Sequence, residues 1–365
     1  MKSPDRHAML AALERLVAAE SPSLDKTLCD GCADLVATLF QERTGVRARR
    51  HQRPDRGDHL ELRTGGDGQP IVLLCHHDTV WAVGTLGRLP FRVEGDRVRG
   101  PGSYDMKAGI VEAAFALELA RPGRPVVVLS TSDEEIGSGS SRELIEDTAR
   151  QAAAVLVLEP AASGGALKTA RKGIADFVLE VEGRAAHAGV EPEKGVSAIE
   201  EMAHQVLALK ALADPARGTT INVGVLSGGT RPNVVAAQAR AEIDVRFASA
   251  SESQRVVNAI QDLRPRLTGA RLRVSGGIDR PPMERTAGVA GLAQLAQRLA
   301  AEMHLELTET STGGGSDGNF VAALGVPTLD GLGPDGGGAH ADSEHLLISS
   351  WIARTELLAR LLEAI

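Results

Sequence analysis

His76, Asp78, Asp105, the pair Glu134-Glu135, Glu159 and His340 follow one another along the chain, each placed where an expected strand ends. Imidazole nitrogens and carboxylate oxygens in such a set can hold divalent cations, and a carboxylate left over can move protons. In His76-His77-Asp78, a ligating histidine would offer its second ring nitrogen to a carboxylate, and Asp78 lies on the same side of an extended chain as His76. An isolated His-x-Asp is equally at home on a surface. In GPGSYDMKAG (100–109), Asp105 could bridge two cations or simply cap a helix. Asp133, Glu134 and Glu135 would repel one another and raise one another's pKa unless cations compensate, although a solvated loop also tolerates them. Glu159 follows an apolar run directly, and His340 sits in the glycine-rich GGGAHADSEH, where the backbone can approach a ligand closely.

The elements that must position these groups alternate. IVLLCH (71–76), VVVLST (126–131) and AVLVLEP (154–160) are apolar on both faces, as buried strands of a mostly parallel sheet are, and helices are expected over 106–121 and 138–151. In such open α/β sheets ligands bind beyond the carboxyl ends of the strands. From about Lys172 the pattern becomes strand, helix, strand, strand, helix, strand, a βαββαβ order. After Pro281-Pro282 alternation resumes with AGVAGLAQLAQRLAAEM and LELTET, and SSWIARTELLARLLEAI closes the chain as an amphipathic helix. The expected fold is an α/β domain with a mostly parallel sheet (1–171 and 283–365), into which a smaller α+β domain (172–282) is inserted.

Composition narrows the function. The chain has 365 residues, 43% hydrophobic and 24% charged, with a net charge of −8, so it has no basic field for nucleic acid, and nine aromatic residues give few stacking platforms. A small-molecule substrate is the expectation. No apolar run reaches the ~18 residues of a membrane span. The first 24 residues read as an amphipathic helix without the apolar region of a secretory signal, giving a cytoplasmic expectation. Cys29, Cys32 and Cys75 are too few for a disulfide framework and read as buried thiols.

Taken together, HHDTV, GPGSYDMKAG, TSDEEIGS, LEP and AHADSEH resemble the successive motifs of the dinuclear zinc aminoacylase/carboxypeptidase family, and GRAAHAG, GGTRPNVV and GGGSDGNF are similar to its glutamate carboxypeptidase type. The resemblance implies two Zn2+ per chain, replaceable by Co2+ or Mn2+, with His76, Asp105 and Glu159 holding one and Asp105, Glu135 and His340 the other. It implies that Asp78 orients His76 and that Glu134 is the general base. It also makes the inserted domain a lid and homodimer surface, from which His187 and Asn233 serve the oxyanion and Arg246 grips a substrate carboxylate, while Gly314, Gly315 and Ser316 contact substrate. The implied substrates are N-acyl amino acids, small peptides or folate-like conjugates, cleaved at an amide next to a free carboxylate by a carboxypeptidase, aminoacylase, deacetylase, desuccinylase or dipeptidase.

Two other readings compete. Gly314-Gly315-Ser316-Asp317-Gly318 fits G-x-S-x-G, a nucleophile elbow, with His340 downstream, but a serine hydrolase leaves four acids unemployed. A non-catalytic binding relative should lack a ligand or the base, and every position is present.

Overall fold

In the computed structural model, which describes residues 3–365, β-branched runs set the centre. Ile71–His76, Val126–Thr131 and Ala154–Val157 are strands buried at every position. Side chains that are apolar on both faces need cover on both, and the strands accordingly lie parallel, with Ile71–His76 between the other two. Thr328–Leu329 extends the parallel side, and His59–Arg63 and Ala48–His51 continue the other side antiparallel, giving six strands.

The helix Ala108–Leu119 is buried along nine consecutive residues because the sheet lies on one side of it and the helices Lys26–Thr44 and Ile348–Ala364 on the other. Gly109 permits this closeness: a Cβ there would stand 2.3 Å from the Leu158 carbonyl oxygen. Val72, Leu74, Val127, Leu129, Val155 and Val157 face a second apolar cluster with Ile145 and Val321, so the sheet has a core on each face. A further small sheet, formed by Arg92–Glu94, Arg97–Arg99, His345–Leu347 and Gly336–Gly337, carries no strong alternation in sequence and was not expected.

The chain divides into two compact units, one of Met1–Ala170, Arg285–Thr312 and Ser316–Ile365, the other of Arg171–Glu284 with Gly313–Gly315. The second is an antiparallel sheet in the order Thr220–Gly228, Gln238–Phe247, Gly173–Glu182, Arg271–Arg280, with the helices Ala198–Leu212 and Ala250–Gln261. Ala175, Phe177, Leu179 and Val181 alternate inward along its central strand while the residues between them stay at least partly accessible, the pattern of a sheet with one covered face.

Element ends differ from expectation where local chemistry overrides pattern. The helix expected from 106 begins at Ala108, because Asp105 and Met106 take non-helical angles in the turn before it. The helix expected over 138–151 is Arg142–Ala149. The third strand of the βαββαβ run starts at Gln238, and the one expected in LELTET is Glu309–Thr312, paired with Leu167–Arg171. The N-terminal helix runs Arg6–Ala18, capped by Asp5, and Met1 and Lys2 of that expected helix lie outside the described residues. All three cysteines are free and buried. Among the described residues no helix is long and apolar enough to cross a membrane.

Candidate metal centre

His76 is the last residue of its strand and is buried. Its Nδ1 lies 3.0 Å from the Asp78 backbone oxygen and 3.5 Å from the Asp78 carboxylate. The carbonyl is the closer partner of the ring, with the Asp78 carboxylate beside it. That carboxylate also accepts from Ser23 Oγ at 2.7 Å and from the backbone N–H groups of Glu134 and Glu135 at 3.3 and 3.2 Å. Asp78 thus ties the His76 strand end to the acidic loop. With Nδ1 engaged, Nε2 points to Asp105 at 3.4 Å and Glu159 at 3.3 Å.

Asp105 does not end a strand. It lies in an irregular turn, Ser103–Lys107, entered through Gly102 in the left-handed region. Glu344 holds that turn: one carboxylate oxygen accepts from the N–H of Tyr104 (2.9 Å) and Asp105 (3.1 Å), the other from Gly102 N–H (2.9 Å) and Trp81 Nε1 (2.7 Å). Burial nevertheless pushes Glu344 up to about 7. Nothing in the sequence assigned it a role, although it belongs to the same AHADSEH motif as His340.

The three consecutive acids separate by function. Asp133 turns away to accept from Ser140 N and Oγ, both at 2.7 Å, and so shapes the loop. Glu134 and Glu135 occupy a short 3-10 turn just beyond the Val126–Thr131 strand. Ser138, at φ 57°, donates to Asp317, which also accepts from Thr131 Oγ at 3.4 Å. Asp317, like Glu344, is a positioning group that sequence reasoning missed, since its partners lie well over a hundred residues away.

His340 also departs from a strand end. It sits at φ 62° between Gly336–Gly337 and His345–Leu347. Its Nε2 stands 3.2 Å from Glu135 and 3.4 Å from Asp105. Asp105, followed by Glu135, raises the His340 pKa to about 10 against the effect of burial. His76 is also raised well above its ordinary value, because Asp105, Asp78 and Glu159 outweigh its burial.

Two groups of donors result: His76, Asp105 and Glu159, and Asp105, Glu135 and His340, each with its ligand atoms within 4.8 Å of one another. Three of these donors, His76 Nε2, Asp105 Oδ1 and Glu135 Oε1, are buried without a hydrogen-bond partner. Leaving such atoms unpaired costs roughly 1–3 kcal/mol each, and more for charged groups. Two divalent cations sharing Asp105 would satisfy them, so the donor set fits two metals.

Ser316 is fully buried, its Oγ donating to Asp330 at 2.6 Å and accepting from Gly318 N–H at 3.1 Å. That geometry gives it neither the accessible hydroxyl nor the histidine partner of a nucleophile elbow. The Gly314 and Gly315 carbonyls each accept from Arg171 at 3.1 Å. In the antiparallel unit, His187 bridges to Val234 and the Asn233 carbonyl accepts from Ala188 N–H at 3.0 Å, so the two segments are laced together. Arg246 is gripped by Asp244, two residues back on its strand, through Nε and Nη2.

Residues 169–269 match a family model described as a peptidase dimerisation domain. Over 317 residues the chain is 33% identical to carboxypeptidase G2 of Pseudomonas sp. (strain RS-16), covering 84% of this chain and 76% of that one. It is 28% identical over 356 residues to succinyl-diaminopimelate desuccinylase of Delftia acidovorans, covering 87% and 89%. In fold it resembles aminopeptidase PepT of Bacillus cereus (TM-score 0.79, 21% identity, 98% of both chains). It also resembles YXEP of Bacillus subtilis, described as a dinuclear metal binding peptidase (TM-score 0.67, 12% identity, 98% and 97%). Sequence identity over most of both chains, with a donor set that fits two metals, places the chain in the M20 peptidase family, and it is a hydrolytic metalloenzyme.

Proposed function

We propose that this protein is a two-metal amidohydrolase that cleaves an amide bond next to a free carboxylate, releasing a C-terminal amino acid, glutamate among the candidates, from an N-acyl amino acid or small peptide. The observation that carries this reading is the pair of three-donor groups sharing Asp105, with buried donor atoms lacking hydrogen-bond partners. His76, Asp105 and Glu159 would hold one Zn2+, and Asp105, Glu135 and His340 the other, with Co2+ or Mn2+ suited to the same donors. When bound, the two cations polarise the scissile carbonyl and lower the pKa of a water.

Glu134, which neither donor group includes, takes a proton from the attacking water as the C–O bond forms. It returns that proton to the amine nitrogen as the C–N bond breaks. Asp78 keeps Glu134 and Glu135 in register through their backbone amides. His187 and Asn233 serve the developing oxyanion, Arg246 exchanges Asp244 for the substrate carboxylate, and the antiparallel unit is the surface of a homodimer. A second reading within the same chemistry, removal of an N-acyl group as in deacetylation or desuccinylation, is favoured by the 28% identity to a desuccinylase along nearly the whole chain.

The test is Glu134→Gln in zinc-loaded protein. Turnover of N-acyl amino acids should fall at least about 100-fold while two metals per chain remain. Loss of a metal would mean that Glu134 and Glu135 have been assigned in reverse, and unchanged turnover would remove Glu134 as base.

A further inference from the structure

A cavity of about 260 Å³ opens beside Glu344, and its lining includes Trp81, Leu89 and Pro90, the arginines Arg88, Arg92 and Arg99, and the acids Glu94 and Asp342. Arg92 and Arg99 stand directly opposite each other on the antiparallel strands Arg92–Glu94 and Arg97–Arg99, and His345 continues the row beyond Arg99. Residues paired in this way project to the same face, where like charges oppose one another unless an anion lies between them. The acids nearby are already committed. Arg99 pairs with Glu94 at 3.1 Å and Arg88 with Asp342 at 2.6 Å. Glu344 is occupied by three backbone amides and the Trp81 indole. Among the described residues, Arg92 has no carboxylate within ion-pair distance.

Trp81, Leu89 and Pro90 make part of the lining apolar. The Trp81 indole is held by Glu344 at 2.7 Å, and the Arg88 guanidinium lies 5.8 Å from its ring centroid. A cationic head and an apolar flank suit a carboxylate on a short hydrocarbon stem, and a guanidinium fork matches a carboxylate edge-on. The cavity is also close to the candidate metal centre, because the Glu344 carboxylate that lines it accepts the Asp105 amide on its other side.

We propose that this cavity is a subsite for an anionic acyl group: the terminal carboxylate of a dicarboxylic N-acyl chain sits at Arg92 and Arg99, with its methylene stem along Trp81 and Leu89. The proposal rests on the amidohydrolase reading and names the substrate class of that same site.

The experiment compares N-succinyl and N-glutaryl amino acids with the uncharged N-butyryl and N-pentanoyl analogues of the same amino acid, in zinc-loaded wild type, Arg92→Gln, Arg99→Gln and Arg97→Gln. Wild type should favour the carboxylate-bearing acyl groups in kcat/KM, chiefly through KM and less so at high salt. Arg92→Gln and Arg99→Gln should each lower that preference about fivefold or more. Arg97→Gln, on the same hairpin but outside the cavity lining, should keep the wild-type ratio. An equal rate on both acyl classes, or a preference that survives Arg92→Gln, overturns the subsite and leaves the amidohydrolase reading standing. No hydrolysis of any N-acyl amino acid overturns that reading itself. Free glutarate separates the two sources of the carboxylate: competition with N-glutaryl substrate that weakens in Arg92→Gln supports the acyl subsite, whereas Arg92-dependent inhibition without any acyl preference assigns the cavity to an independent anion and overturns it.

Discussion

The two donor groups share Asp105 but are built from different material. On the His76 side, the imidazole ends a fully buried strand in the middle of the sheet, its side chain only 2% exposed, and its Nδ1 is fixed by a carbonyl two residues on. On the His340 side, the imidazole is 51% exposed and hangs from a glycine-rich loop at positive φ. Rigid elements hold ligands more accurately than loops do. The difference teaches that a sheet can supply one pre-organised metal position while a loop completes the second, and that the second should be the more exchangeable.

Breaking each side separately should expose this asymmetry. His76→Ala should weaken binding of its metal by at least about 100-fold, exceeding the 10–100-fold cost typical of disturbing only a ligand's supporting groups. His340→Ala should weaken one metal and leave the His76-side metal with an affinity close to that of wild type. Competition with a chromophoric chelator measures both, and equal losses at both positions in either variant would erase the distinction.

A smaller effect sharpens the same comparison. In the metal-free protein Asp105 and Glu135 hold His340 near 10, so it carries a proton at pH 7.5, and the carboxylates around His76 favour its protonated form as well, yet each must be neutral to ligate. Metal uptake should therefore expel protons at pH 7.5. Binding should tighten as pH rises toward about 10, where the His340 share of the release disappears. Calorimetry in buffers of different ionisation enthalpy reads the number of protons, and a buffer-independent enthalpy would contradict the raised histidines.

How far the sequence revealed the site also follows this division. The parallel strands and the donors at or just beyond their ends, His76, Glu135 and Glu159, were legible because apolar runs and the residues that terminate them are local signals. Asp105 was recognisable as a candidate but not its turn, which depends on amides accepted by a carboxylate more than two hundred residues away. The same holds for Asp317 under the acidic loop, and for the small sheet whose row of Arg92, Arg99 and His345 exists only once a short hairpin pairs with a segment more than two hundred residues away. In GGGSDGNF the G-x-S-x-G spelling does not say whether the serine faces solvent, and Ser316 faces Asp330 in the interior, which agrees with the argument against a serine nucleophile.

The shared carboxylate is the centre of the account, and metal stoichiometry tests it most directly. Zinc bound after equilibrium dialysis should be two per chain in wild type and one in His340→Ala, whereas Asp105→Ala, which removes a ligand from both groups at once, should retain neither tightly. Two tightly held metals in Asp105→Ala, or a single metal in wild type, would contradict it.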